Sequence, residues 1–440
     1  MISNFENEKF AEKYLVGGVS SSIRKYKEIG HPIYFAKGEG VKVWDIEGKE
    51  YYDLDNSHGA TILGHNHPKL RAAVEKALDM GVLCAYETEY QGKLAKKLSD
   101  MVPAIDLCRF TCSGTDAVMN IIRLAREITG KEKIIKFEGH FHGYFDYVMY
   151  NYNIMDSHTP PVEQSGPAKR LIPYVQSGGI PKSIKNLIIV APFNDLEALE
   201  KIIKEEKDEV AALVMEPINY NSGCIVPTKE YMKAVRKLTK ENGILLIYDE
   251  VLSAFRTGPG CAQEYFDVVP DLCTIGKCVA GGFPISVFGG KREYMNHVRP
   301  LGNSEHSGTY NGHLIPVMAA LACLEEISSP GFYDHIYQIA DRLYKGLDKI
   351  FADYHLGRIQ GLGARFGMYF DVDEEVTNYR IAAKNNKEKN DRFMNTAVKN
   401  GVLLFGKHHG FSAAYTKEDV DEVLSRLEKT AKEVADYYKR

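Results

Sequence analysis

The stretch Leu272-Cys273-Thr274-Ile275-Gly276-Lys277, continued by Cys278-Val279-Ala280-Gly281-Gly282-Phe283-Pro284, decides the reading of this 440-residue chain. A short apolar run of buried-strand character ends in a glycine and then a lysine, and small residues follow at once. Backbone or a ligand can come close to such residues. A lysine at the tip of a buried strand is partly desolvated, which favours its neutral amine, and a neutral amine attacks a carbonyl carbon. The plainer reading is a structural lysine whose stem packs while its head reaches water. One lysine does not separate the two readings; its company elsewhere in the chain does.

Outward from Lys277, apolar runs predict strands at 108–112, 133–137, 187–191, 210–216, 243–249, 272–276 and 285–288. Helical patterns at 116–129, 196–206 and 229–241 lie between several of them. Such alternation predicts an α/β fold with a mainly parallel sheet flanked by helices on both faces. Ahead of it, 41–45 and 49–54 alternate like a hairpin around Ile46-Glu47-Gly48, and Pro68 opens a helix reaching 79. After 310 the pattern changes to a helix at 315–327, a charged helix-rich region, a strand pair at 364–370 and 402–405, and a last helix over 417–438. The expected organisation is an N-terminal arm and hairpin (1–65) belonging to a small domain, a large domain (66–310), and a C-terminal small α+β domain (311–440).

Composition narrows the class. A hydrophobic fraction of 44% and a charged fraction of 26% are those of a soluble globular protein. The net charge of −4 gives no reason to expect a nucleic acid or an anionic membrane as partner. The N-terminus is polar and acidic, and no run approaches the roughly 18 apolar residues of a bilayer span. Eight scattered cysteines form no C-x-x-C pair. Free thiols in a reducing cytoplasm are therefore expected.

In open α/β sheets, ligands bind outside the carboxyl ends of the strands, and the polar residues of this chain gather there. Ser113-Gly114-Thr115-Asp116 opens a helix after one strand. Its amides, hydroxyls and helix dipole suit a phosphate group, although a plain N-cap accounts for the segment as well. No G-x-x-x-x-G-K-[ST] loop supports nucleotide binding. Glu138-Gly139-His140-Phe141-His142-Gly143 follows another strand. Two histidines could ligate a metal, but no second ligand cluster completes a site. An aromatic ring on a flat cofactor, with histidine beside it, is the more economical idea. His65 and His67 read as loop residues. Asp249 ends a third strand, where a buried carboxylate is costly unless paired. A protonated pyridine nitrogen would serve as its partner; the adjacent Glu250 suits a structural ion pair, with Arg256 as a candidate.

Together these pieces resemble the fold-type I, pyridoxal phosphate-dependent aminotransferases of class III, and most of all their glutamate-1-semialdehyde 2,1-aminomutase-like branch. The resemblance rests on Ser113-Gly114-Thr115-Asp116-Ala117-Val118-Met119 with Arg123-Leu124-Ala125-Arg126, and on Lys136-Phe137-Glu138-Gly139-His140-Phe141-His142-Gly143. Glu216-Pro217, Asp249-Glu250-Val251 with Phe255-Arg256, and Gly276-Lys277 with Gly281-Gly282-Phe283-Pro284 complete it. It implies that Lys277 binds the cofactor covalently and moves the proton once substrate frees it. Asp249 would keep the pyridine nitrogen protonated, and Ser113, Gly114 and Thr115 would bind the phosphate. Phe141 would stack on the ring with His142 beside it, Val251 would pack on the opposite face, and Asn221 would lie near the phenolic oxygen. Thr309, in Ser307-Gly308-Thr309-Tyr310, would reach the phosphate of a neighbouring subunit, which implies a homodimer with active sites at the interface. Arg24, with Ser21, would meet a substrate carboxylate, a task its guanidinium fork suits.

Two departures bear on the substrate. That branch usually has a tryptophan where this chain has His58, and a glutamine-phenylalanine-glutamate run where this chain has Gly406-Lys407-His408-His409-Gly410. Positive or titratable groups thus stand where a carboxylate is usual, making His58, Lys407 and His408 substrate-side candidates for an anionic distal group. The leading expectation is an aminotransferase moving an amino group between a β- or ω-amino donor and a keto or aldehyde acceptor. The alternative is an aminomutase shuttling the group within one molecule. Behind these stand a racemase or epimerase and a cofactor-binding protein without turnover.

Overall fold

The apolar runs assemble into a seven-stranded sheet in the computed structural model, which describes residues 3–152, 165–169, 171–406 and 408–439. Across the sheet the order is Leu107–Thr111, Ser286–Gly290, Leu272–Ile275, Leu245–Glu250, Val210–Met215, Lys133–Phe137, Ile188–Ala191. Ser286–Gly290 runs antiparallel to both its neighbours, and the remaining pairs are parallel. Val210–Met215, Leu245–Glu250 and Leu272–Ile275 are buried at every position, as expected of central strands covered on both faces. Because the strands are parallel, the residues that follow Thr111, Phe137, Met215 and Ile275 emerge at one edge, with Asp249 and Glu250 at the end of their own strand.

The helix Gly114–Thr129 shows how local sequence positions the site. Ser113 caps its start, accepting the Asp116 amide, and Gly130 ends it in the left-handed region at φ 67°. Its apolar stripe, including Val118, Ile121 and Ala125, packs with Ile134, Val214, Ile247 and Phe288 of the sheet. Each of the larger side chains contributes about 1.5–3 kcal/mol on burial, so the start of the helix is fixed by its own packed length.

The chain divides into two compact units, one of Met1–Pro68, Asp334–Glu374 and Lys384–Arg440, the other of Lys69–Tyr333 and Glu375–Ala383. The sequence placed a boundary at 310/311, but the larger unit runs on to Tyr333. Leu314–Ile327 is apolar nearly all round, with Leu314, Val317, Ala320 and Leu324 buried, and it packs on Glu89–Met101 and on the turn Lys277–Ala280. A helix without a polar face belongs inside a core.

In the other unit Phe35–Glu39, Lys42–Asp45 and Glu50–Asp53 form antiparallel pairs. The expected pairing of 364–370 with 402–405 does not form. Val402–Leu403 lies parallel to Tyr52 and Asp53, and Arg365–Phe370 instead pairs with Gly357–Leu362 and His409–Gly410. Gly406, at φ 72°, breaks the run so that its two halves enter different sheets. The last helix, Lys417–Tyr438, begins with a Thr416–Asp419 capping box. All eight cysteines are free, five of them buried. Among the described residues no single helix is long and apolar enough to cross a membrane.

Candidate active site

Glycines report how closely the strand ends meet. A Cβ on Gly114 would lie 2.8 Å from Val251 Cγ1, and one on Gly276 would lie 2.6 Å from Ser286 Oγ and 3.2 Å from Val251 Cγ1. A Cβ on Gly143 would lie 2.6 Å from Thr115 Oγ1, a hydroxyl that also accepts the Tyr144 amide at 3.2 Å. The helix start at 113–115, Val251, the approach to Lys277 and the loop carrying Phe141 and His142 are therefore one neighbourhood.

Asp249 sits at its floor, 4% exposed. One carboxylate oxygen takes the His142 Nδ1 proton at 2.7 Å; the other accepts from Thr274 Oγ1 at 3.0 Å and the Val251 amide at 3.1 Å. Thr274 faces Asp249 across the ladder between their strands. His142 is buried, and burial lowers its tendency to hold a second proton, although Asp249 pulls the other way. The aspartate is thus oriented by three donors, none of them a permanent cation.

Glu216 forms the adjacent wall. Its Oε1 accepts the Phe141 amide and its Oε2 the Asn221 side chain, both at 2.8 Å. Its own amide donates to His140 Nδ1 at 3.0 Å, so the proton of that buried ring lies on Nε2. Burial pushes the Glu216 carboxyl up to about 8, helped by Asp249 and opposed by the Phe141 amide, Asn221 and Lys277. Behind it the buried Lys136 is pushed down to about 7, chiefly by desolvation, while its amine donates to the Tyr150 carbonyl at 2.6 Å. The folded value of Glu216 lies above the ordinary 4.5, so its contribution to stability is present below that pH and is lost as pH rises through about 8. With cofactor removed, the melting temperature of the wild type should therefore fall relative to Glu216→Gln by several degrees between pH 5 and 8.5 in a calorimetric pH series. Parallel curves would contradict the buried acid.

Lys277 stands at the tip of its strand, partly exposed, with a left-handed φ of 45°. Non-glycine residues enter that region at a cost and are held there by their surroundings. Ser113 is exposed; its Oγ accepts the Asp116 amide at 3.2 Å, the capping role the sequence offered as the plainer reading, and donates to Asp116 Oδ2 at 2.9 Å. The amides of the first helical turn, Gly114 and Thr115, lack helical partners by geometry. Phe141 is half-buried, its ring 5.2 Å from that of Tyr144. Thr309 lies on an exposed stretch beside Tyr310.

The remaining candidates belong to the other unit. Arg24 lines a cavity of about 600 Å³ with Tyr26, Asp53, Asp55 and His58. Its guanidinium bonds Ser20 Oγ at 2.5 Å; the serine on the cavity wall is Ser20, whereas Ser21 directly precedes the short turn Ser22–Arg24. Asn56, Ser57 and His58 all adopt left-handed φ, between 52° and 54°. Asp55 holds this turn by accepting the His58 amide at 2.9 Å and facing its Nδ1 at 3.3 Å. Lys407 lies outside the described residues. Of the neighbouring histidines, His409 brings no positive charge. His409 is 1% exposed and pushed down to about 3, first by desolvation and then by Arg365. Among the described residues, this corner holds a fixed cation in Arg365, fully buried and donating to the His408 carbonyl at 2.8 Å.

The family model for class-III aminotransferases matches residues 24–430. The chain is 38% identical to the glutamate-1-semialdehyde 2,1-aminomutase of Methanocaldococcus jannaschii, covering 96% of each. It is 36% identical to that of Persephonella marina, over 96% of this chain and 97% of the other. It belongs to the class III aminotransferases. Among solved structures, an omega-transaminase from Sphaerobacter thermophilus matches with a TM-score of 0.91 at 28% identity, covering 98% of both chains. A transaminase with PLP bound matches at 0.87 and 26%, again over 98% of both.

This class III aminotransferase depends on pyridoxal phosphate, and its residues fit that cofactor. Asp249, buried and oriented by neutral donors, suits a protonated ring nitrogen. The glycine at 114, packed against Val251, brings unpartnered amides to where a phosphate would rest. When bound, the cofactor supplies an electron sink. Gly114→Ala would press a methyl group into Val251, a β-branched side chain with little freedom to yield. Overpacking of that kind costs about 1–3 kcal/mol. A loss of roughly tenfold or more in cofactor affinity is expected by titration, and unchanged affinity would separate the glycine from the phosphate site.

Sequence reasoning quoted Glu216 without giving it a role and overlooked Thr274 and Arg380. Glu216 carries the same signal as Asp249, an acid ending an apolar strand. Arg380, which donates to Glu138 at 3.3 Å and to the Gly166 carbonyl at 2.8 Å, carries none, being more than 200 residues from either.

Proposed function

We propose that this enzyme moves an amino group between neighbouring carbons of one small carboxylate-bearing substrate, the reaction named for the aminomutases it is 36–38% identical to. This was the alternative in the sequence reading, and the comparisons favour it over two-substrate transfer. The observation that carries it is the likeness over nearly the whole length combined with Arg24 on the wall of a cavity. Arg24 takes the substrate carboxylate in this reading. Lys277 removes the proton from one carbon and returns it to the next, while Asn221, anchored on Glu216, fixes the orientation of the ring oxygen. Thr309, exposed on the isolated chain, serves a second copy in a homodimer, and the enzyme works in the cytoplasm.

A second reading, transfer from a β- or ω-amino donor to a separate acceptor, is favoured by His58 in the cavity and by the likeness to an omega-transaminase. Glutamate-1-semialdehyde given alone to the holoenzyme separates them. Consumption over many turnovers without a second substrate supports the aminomutase. Consumption limited to one equivalent per site, resumed only with an added amino donor and acceptor, establishes the transaminase instead.

A further inference from the structure

We infer that His408 meets the substrate as a fixed Nε2–H hydrogen-bond donor rather than as a cation, its tautomer imposed by Arg365. His408 is then a specificity-determining residue and Arg365 the residue that positions it. The inference rests on the proposed function and on the sequence reading that sets His408 on the substrate side.

A guanidinium has N–H donors and no acceptor. Arg365 Nη2 lies 2.5 Å from His408 Nδ1 and 2.8 Å from the His408 carbonyl. Only a lone pair on Nδ1 can face that group, so the imidazole proton is on Nε2. A second proton would set two cationic N–H groups against each other. Nor can the arginine turn away. It is fully buried, its strand residue pairs with Gly410, and its own carbonyl accepts the Tyr344 hydroxyl at 3.0 Å.

Among the described residues, the charged and titratable groups around this corner are few. Asp55 is held below the usual carboxylate range; burial works against this, and His58 and Arg365 outweigh it. His409 is neutral by burial. Glu28 accepts the Gly406 amide at 3.2 Å and is pushed up by burial. His408 itself is half-exposed. A neutral N–H of this kind selects a substrate oxygen (carbonyl, hydroxyl or carboxylate) and does so without change from mildly acid to mildly basic pH.

Nitrogen-15 spectra of histidine-labelled holoenzyme, with His408 assigned through His408→Gln, test this directly. The expected result is an Nε2–H neutral ring from pH 5.5 to 8.5. Arg365→Met should let the same ring titrate near the ordinary value of about 6.5. Should that variant not fold, Arg365→Lys, which keeps one donor, is expected to retain the tautomer. In kinetics, His408→Gln should hold KM within about threefold, whereas His408→Phe raises KM at least tenfold with kcat changed little. An imidazolium at pH 6 in the wild type, an Nδ1–H tautomer, or an unchanged KM in His408→Phe would overturn the inference. The spectra need no turnover, so the tautomer stands or falls separately from the choice between aminomutase and transaminase.

Discussion

Lys277→Ala is expected to lose at least about three powers of ten in kcat while keeping its fold. A positioned acid–base group contributes roughly 10²–10⁴-fold, and the lost covalent attachment adds to that. Alanine should be tolerated at the position, because the side chain is partly exposed and the φ of 45° is no harder for alanine than for lysine. Thermal melting should accordingly move by a few degrees at most. The covalent role has its own readout: after borohydride reduction, the wild-type chain should gain the mass of the cofactor and the variant should not. Activity within tenfold of wild type would end the assignment of Lys277.

Asp249→Asn is the second large effect. The amide can still accept from Thr274 and the Val251 amide, and can keep contact with His142, so the site should remain assembled. What disappears is a charge. At an effective dielectric of about 20, opposite unit charges some 4 Å apart gain roughly 4 kcal/mol, which corresponds to a fall of about 10²–10³ in kcat. Thr274→Val, which removes one orienting donor and leaves the charge, should cost about tenfold or less. If the two variants behave alike, Asp249 is a structural residue and the ring nitrogen finds its partner elsewhere.

Much of this was legible in the sequence because the central strands are buried on both faces. Runs such as 210–216 and 243–249 then carry no polar interruption until the sheet ends, so the first acid or lysine marks the edge where ligands bind. That rule singles out Lys277 and Asp249 as candidates, and Glu216 obeys it too. The small unit was harder. Val402–Leu403 and His409–Gly410 are too short to show alternation, and a single glycine between them sends them to different sheets. Leu314–Ile327 falls in the compact unit with Lys69–Tyr333, which a uniformly apolar helix does not announce, since it does not say which core it fills. Arg365 escaped notice for a different reason: its partner lies 43 residues on, and only the fold brings a buried cation to His408.

The nine residues Glu375–Ala383 belong with the larger unit although the chain on either side of them does not. Tyr379 fills the space where Gly139 lacks a side chain, and Arg380 grips Glu138 and Gly166. Genetic dissection after Tyr333, where the main stretch of the larger unit ends, would therefore yield an incomplete body, missing a clasp encoded further on at Glu375–Ala383. A split version intended for complementation must carry that short clasp on both expressed pieces or graft it onto the first.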